Sequence, residues 1–196
     1  MKYLIVGLGN PGEEYEATRH NAGRLAVKVI RKQFEFPDWV PDKKTLALKS
    51  EGKYEEKVVT LLLPETMMNR SGKSLASLVK NVGDARRLLI VHDDLDLPLG
   101  RFKLSFDRGS GGHRGLESII KTIKTTVFLR IRIGISSASK KGTAKKPHGE
   151  AATVKFILGR FRPAEFATVK RLAKNITEAA ALWLAAGAPA AMNKFN

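Results

Sequence analysis

Leu4-Ile5-Val6-Gly7-Leu8-Gly9-Asn10-Pro11-Gly12, followed by Thr18-Arg19-His20-Asn21, is the stretch whose reading decides the fold. The apolar run reads as a short buried strand. The glycine and proline cluster reads as a tight loop at its carboxyl end. Asn10, an amide that both donates and accepts, sits in that turn. His20, the side chain that titrates near neutral pH, stands at the mouth of the next helix. Open α/β sheets bind ligands in the crevice outside the carboxyl ends of their strands. The segment therefore places a hydrogen-bonding amide and a candidate base where chemistry is expected.

Outward from this stretch the pattern alternates strand and helix. Residues 2–6 read as a strand and 21–33 as a helix. Residues 45–50 and 57–63 read as a strand pair joined by a turn at Glu51-Gly52-Lys53. Leu75, Leu78, Val79 and Val82 lie at helical spacing and predict a helix over 71–82. Residues 87–92 form a buried strand, 101–106 an edge strand, 113–124 a helix and 128–135 a strictly alternating strand. A long helix over 163–186 opens on Pro163 and closes at Gly187. This order predicts one α/β domain spanning 1–196, with a twisted, mostly parallel mixed sheet flanked by helices and an antiparallel edge. Ser136 to Gly149, with Lys140, Lys141, Lys145 and Lys146, reads as a mobile basic loop suited to phosphate contact.

Charge narrows the partner. The chain has 196 residues, 43% of them hydrophobic, which is enough for a core. Its 35 Lys and Arg against 19 Asp and Glu give a net charge of +16. From Arg101 to Lys174 there are 18 basic and 4 acidic residues, interleaved with an ordinary apolar pattern. Such an excess points to a polyanion such as RNA, DNA or an anionic membrane surface. Cysteine is absent, which excludes disulfides and thiolate metal sites and fits a reducing compartment. The apolar start is too short for a secretory leader, and Ala179 to Met192 is broken by Gly187 and Pro189. A soluble cytoplasmic protein with no membrane partner is expected.

Several motifs are set aside. Gly7, Gly9 and Gly12 match the dinucleotide-binding spacing. However, Pro11 interrupts it, Glu13 and Glu14 follow where a pyrophosphate would lie, and Lys28, Arg31 and Lys32 occupy the place of the ribose-binding acid. No G-x-S-x-G elbow exists, and the four histidines show no zinc-ligand spacing. Asp93, Asp94 and Asp96 are compatible with magnesium, but no second acidic cluster accompanies them.

Asn10, Asn69 and Asp93 each follow a predicted strand. With His20 they compose a hydrolytic site: Asp93 fixes the imidazole tautomer, the other ring nitrogen takes a proton from water, and amides hold the carbonyl and its developing oxyanion. Taken singly, Asn10 equally suits a turn cap, Asp93 a loop cap and His20 a structural position.

The motifs together resemble the bacterial-type peptidyl-tRNA hydrolases. Ile5 to Gly12 with Tyr15 and Thr18-Arg19-His20-Asn21-Ala22-Gly23 is similar to their opening. Met68-Asn69 with Ser71-Gly72-Lys73, then His92-Asp93-Asp94-Leu95-Asp96-Leu97-Pro98-Leu99-Gly100, continue the likeness in order. Gly109-Ser110-Gly111-Gly112-His113, Gly115-Leu116 and Arg130 to Ile135 follow, and the likeness reaches Asn193-Lys194-Phe195-Asn196. The resemblance implies hydrolysis of the ester between a peptide and the tRNA terminal ribose, with no metal or organic cofactor. It implies His20 as base and Asp93 as its orienting partner, with Asn10 and Asn69 positioning peptide, water and the tRNA 3′ end. Tyr15, Met67, Met68, Lys103, Arg108, Gly112, His113, Arg114 and Arg132 are the implied substrate contacts, and the expected state is a monomer bound to peptidyl-tRNA.

The chain departs from that pattern in places. Arg114 stands where Asn is usual, Met67 where an aromatic often precedes Met-Asn, and Ser105 where a basic residue often clamps the tRNA 5′ phosphate. The 136–149 loop is longer and more basic than usual. Arg114 and this loop motivate the alternative, an RNA-binding relative without catalysis.

Overall fold

The structure is a computed structural model that describes residues 2–139 and 142–196. Its strands are β1 (Lys2–Gly7), β2 (Val40–Asp42), β3 (Ala47–Tyr54), β4 (Lys57–Pro64), β5 (Leu88–Pro98), β6 (Phe102–Phe106), β7 (Leu129–Ala138) and β8 (Ala144–Lys145). The helices are α1 (Ala22–Gln33), α2 (Val82–Ala85), α3 (Arg114–Ile123), α4 (Glu150–Leu158) and α5 (Pro163–Phe195). The strand order is β2-β3-β4-β1-β5-β7-β6, with β8 pairing to β7 beside that path. The centre, β4-β1-β5-β7, is parallel, and both rims are antiparallel. The expected mixed α/β sheet is present.

Two apolar faces hold it. Ile5, Leu61, Leu89 and Ile131 meet α1 and α5 residues such as Ala26, Ile30, Ile176 and Trp183 on one side. Leu4, Val6, Leu62 and Ile90 meet Leu75, Leu116 and Ile119 on the other. Burial on both faces explains why the central strands read as continuous apolar runs. Each fully buried Ile or Leu contributes about 1.5–3 kcal/mol.

The parallel register sets the site. Val6 lies beside Ile90 and Gly7 beside Val91, and the Leu8 N–H still donates to the Val91 carbonyl at 2.9 Å. The chain leaving β1 therefore runs next to the end of β5. Gly23, at the start of α1, makes this approach possible: a Cβ there would stand 2.2 Å from the Val91 carbonyl oxygen and 2.8 Å from that of Leu8.

Three local expectations are corrected and a fourth is extended. The β3–β4 turn lies at Glu55-Glu56, with Tyr54 opposite Lys57, and not at 51–53. Gly52 is a strand residue instead; a Cβ on it would meet the Phe36 ring at 2.7 Å, so glycine is there for close packing. Residues 71–82 form no continuous helix. A 3₁₀ segment covers Met68–Ser74, turns follow, and α2 starts only at Val82, capped by the Asn81 side chain. A Cβ on Gly72 would meet the Ser118 carbonyl at 2.2 Å, so this segment lies flat against α3. The 136–149 stretch is not loop throughout: Ser136 to Ala138 finish β7, and β8 pairs back onto it through Ser137–Lys145 and Ala138–Ala144. Lys140 and Lys141 lie outside the described residues. Finally, helix continues past Gly187, whose φ of 85° kinks α5 before its last turns. Gly187 ends the first helix as expected; the second begins at once beyond it. No helix among the described residues is long and apolar enough to cross a membrane.

Candidate active site

His20 sits in a 3₁₀ turn, Arg19–Asn21, that leads into α1. The turn is clamped from outside. Arg19 donates its N–H to the Gly159 carbonyl and pairs with Glu165 at 2.8 Å, and Thr18 bridges to Arg160. From inside, Asn21 holds the Asn10 turn: its Oδ1 accepts the Asn10 N–H at 2.8 Å and its Nδ2 donates to the Asn10 carbonyl at 2.9 Å. Asn10 is then fixed from a third element, accepting the Met68 N–H on Oδ1 at 2.8 Å. Its Nδ2 has no hydrogen-bond partner among the described residues.

Asp93 lies in β5 opposite Ile133 of β7, buried beside the turn. His20 Nδ1 lies 3.0 Å from both of its carboxylate oxygens, and His113 Nε2 lies 3.1 Å from Oδ1. His113 is the N-cap of α3, and its Nδ1 accepts the N–H groups of Gly115 and Leu116 at 3.2 and 3.3 Å. His92 completes a row of rings, with its centroid 4.8 Å from that of His113, which is 5.2 Å from that of His20. His92 Nδ1 lies 2.7 Å from the Asp93 carbonyl; an acceptor there places the proton on Nδ1. Two histidines without any sequence spacing thus meet at one carboxylate, and a third bonds the backbone carbonyl of the same residue. Among the described residues, His20, Asp93 and His113 are the group whose ligand atoms, within 4.8 Å, approach metal-binding geometry. Those atoms already bond one another.

The electrostatics follow from burial and pairing. Burial alone would push the Asp93 carboxyl up; the His20 and His113 rings beside it, and their hydrogen bonds, hold it well below the carboxylate range. For His20, burial disfavours the charged form, but Asp93 outweighs it, and the imidazole stands above its ordinary value of 6.5; Arg114 pulls the other way. His92 is pushed well below 6.5 by burial and by His113.

A cavity of about 850 Å³ opens beside this cluster. His20, Asp93, Arg108, Gly112, His113, Arg114 and Arg132 all line it, and so does Ser105. Asn10 instead lines a smaller cavity of about 210 Å³. Tyr15, Met67, Asn69 and Lys103 line neither cavity; Met67 and Asn69 are exposed, as is Lys103. Met68 is buried against α3, where its sulfur would lie 2.5 Å from a Cβ on Gly115. It acts through its backbone N–H on Asn10.

Sequence reasoning missed several contributors. Helix α4 supplies Thr153, Val154 and Ile157 to the cavity wall, yet its apolar residues follow no helical period and none is buried. Arg130 stacks on the Phe128 ring and donates to the carbonyls of Arg108 and Gly109, which holds the glycine loop in place. Acidic partners of the basic wall were also unforeseen. Arg114 pairs with Glu150 at 2.7 Å, Arg132 with Asp94 at 2.7 Å, and Lys146 with Asp96.

Known proteins are similar to this chain over nearly its whole length. Residues 4–196 match the family described as Peptidyl-tRNA hydrolase. Proteins of that name from Syntrophotalea carbinolica and Herpetosiphon aurantiacus are 36% and 39% identical over 194 and 196 residues. The alignments cover 98% and 99% of this chain and 96% and 90% of theirs. The crystal structure of peptidyl-tRNA hydrolase from Acinetobacter baumannii superposes with a TM-score of 0.87 at 35% identity, covering 99% of this chain and 94% of that one.

Proposed function

The chain belongs to the peptidyl-tRNA hydrolase family, enzymes that hydrolyse peptidyl-tRNA and release tRNA, and on that premise we propose that His20 is the general base and Asp93 its orienting partner. The observation that carries this reading is the His20 Nδ1 contact at 3.0 Å with a buried, ionised Asp93. With Asp93 ionised, Nδ1 holds the proton and Nε2 keeps its lone pair. That lone pair takes a proton from water as the oxygen attacks the ester carbonyl. The Asn10 Nδ2–H, on an amide whose Oδ1 accepts the Met68 N–H and whose backbone is held by Asn21, is a donor for the developing oxyanion. The tRNA ribose oxygen leaves, protonated from the imidazolium.

The basic wall receives the tRNA 3′ end and acceptor stem. Arg108, Arg114 and Arg132 meet phosphates, Gly112 lets the backbone approach closely, and Lys103 extends the basic surface along β6. Tyr15, Met67 and Asn69, outside the cavity wall, are assigned to peptide and 3′-end contacts on the family likeness. We place the enzyme in the cytoplasm as a monomer that uses no metal.

The pH profile tests the base. Because His20 must be neutral to act and its folded value lies above 6.5, kcat/KM for an N-acetyl-aminoacyl-tRNA should fall as pH drops through a limb centred above 6.5. Asp93, held well below the carboxylate range, adds no second limb between pH 5 and 8. A rate flat from pH 5 to 8 would remove His20 from that role.

The Arg114–Glu150 pair makes a second prediction. Its side chains are 60% and 80% exposed, so the pair is weak and a phosphate displaces Glu150 at little cost. Glu150→Gln should therefore lower KM for the tRNA substrate about two- to fivefold at low salt, with the gain fading as salt rises. An unchanged KM at every salt concentration would mean that Arg114 does not meet the substrate.

A further inference from the structure

We infer that His113 is a positioning residue whose two ring nitrogens join the first turn of α3 to the Asp93 carboxylate, so that helix, carboxylate and His20 are oriented as one unit. The inference rests on the reading of His20 as base. It departs from the substrate contact that the family likeness implied for His113, because both nitrogens are already engaged within the protein.

Hydrogen-bond direction fixes the tautomer. The N–H groups of Gly115 and Leu116 can only donate, so His113 Nδ1 must present a lone pair to them. The ring proton then sits on Nε2, which faces Asp93 Oδ1 at 3.1 Å and donates to it. This N-cap therefore acts through both ends of one ring, where the usual Ser, Asn or Asp cap acts through one oxygen. Leu116 is anchored in the core under the sheet, so the ring's attachment is rigid. The imidazole lies between the rings of His20 and His92, with centroids 5.2 and 4.8 Å away.

Two consequences follow for Asp93. Its carboxylate, gripped from His20 on one side and His113 on the other, cannot rotate away from the base. It also divides its charge between two N–H donors, so it favours the His20 imidazolium less than an undivided carboxylate would. The other charged groups facing His20 are accounted for. Arg114 is paired with Glu150, Asp94 with Arg132 and Arg24 with Glu65; Lys155 lies on α4, and Arg130 donates to the carbonyls of Arg108 and Gly109. None of these donates to Asp93.

Two substitutions separate the two functions of the ring. In His113→Asn the side-chain oxygen takes the place of Nδ1 and caps α3, but nothing reaches Asp93. In His113→Gln the amide N–H takes the place of Nε2 and reaches Asp93, but the cap is lost. With N-acetyl-aminoacyl-tRNA, the Asn variant should lose roughly tenfold in kcat at pH 7 with KM little changed. Its acid limb should move up by about half a unit. The Gln variant should keep the wild-type limb and lose roughly 2–4 °C in Tm. A limb unmoved in the Asn variant, or moved equally in both, overturns the assignment. Long-range ¹⁵N NMR of the wild type gives an answer independent of any variant. It should report a protonated Nε2 and an unprotonated Nδ1 for His113, and the reverse pattern also overturns the assignment. A wild type with no acid limb would instead remove His20 as base, and with it this role for His113.

Discussion

His20→Ala is expected to slow cleavage of N-acetyl-aminoacyl-tRNA by about 10²–10⁴-fold while leaving tRNA affinity within roughly twofold. The rate loss follows from removing the nitrogen that accepts the proton of water. The preserved affinity follows from position. His20 is buried, whereas the cations assigned to phosphate stand on β6, β7, α3 and the glycine loop. The variant should also fold. Asp93 keeps its bond from His113, and the turn around residue 20 is fastened by Arg19, Thr18 and Asn21 rather than by the imidazole. Filter binding and single-turnover cleavage of the same labelled substrate separate the two effects. Loss of binding in step with loss of rate would move His20 from chemistry to recognition.

Gly23→Ala is expected to lower stability by about 3 kcal/mol or more and Tm by roughly 6–12 °C. The new methyl would stand 2.2 Å from the Val91 carbonyl oxygen, with the Leu8 carbonyl and amide at 2.8 and 2.9 Å. All three are backbone atoms of β5 or of the chain leaving β1, so no side chain can swing aside. Relief requires α1 to lift from the sheet. Because Gly23 follows His20 by one helical turn and Val91 precedes Asp93 by two residues, the lift widens the His20–Asp93 contact. Activity should therefore fall even at temperatures where the variant remains folded. A Tm within 2 °C of wild type would show that the helix start tolerates the shift.

Much of this site could be read before any fold was known, and the limits have physical causes. The strand at Leu4-Ile5-Val6, its glycine-rich exit and the helix that follows His20 announce themselves through local patterns. Strands buried on both faces are continuous apolar runs, which made β5 visible up to His92. What failed depended on distant partners. Gly52 looks like a turn residue until Phe36 is known to lie on it. The spacing of Leu75, Leu78, Val79 and Val82 is helical, yet Gly72 pressed against Ser118 holds the segment in tight turns. Helix α4 lies across the cavity with no buried face, so no period marks it. His92 and His113 are twenty-one residues apart in sequence, and only the parallel pairing of β5 with its neighbours and the placement of α3 bring their rings together. The carboxylates that pair with Arg114, Arg132 and Lys146 were invisible for the same reason.

The measurement that bears most directly on the base is chemical rescue. Imidazole is added to His20→Ala, bound to N-acetyl-aminoacyl-tRNA at saturating enzyme, and single-turnover release of the acyl group is followed. The account predicts negligible cleavage without imidazole, and acceleration that tracks the concentration of its neutral form. Cleavage by His20→Ala at the wild-type rate without imidazole would contradict it.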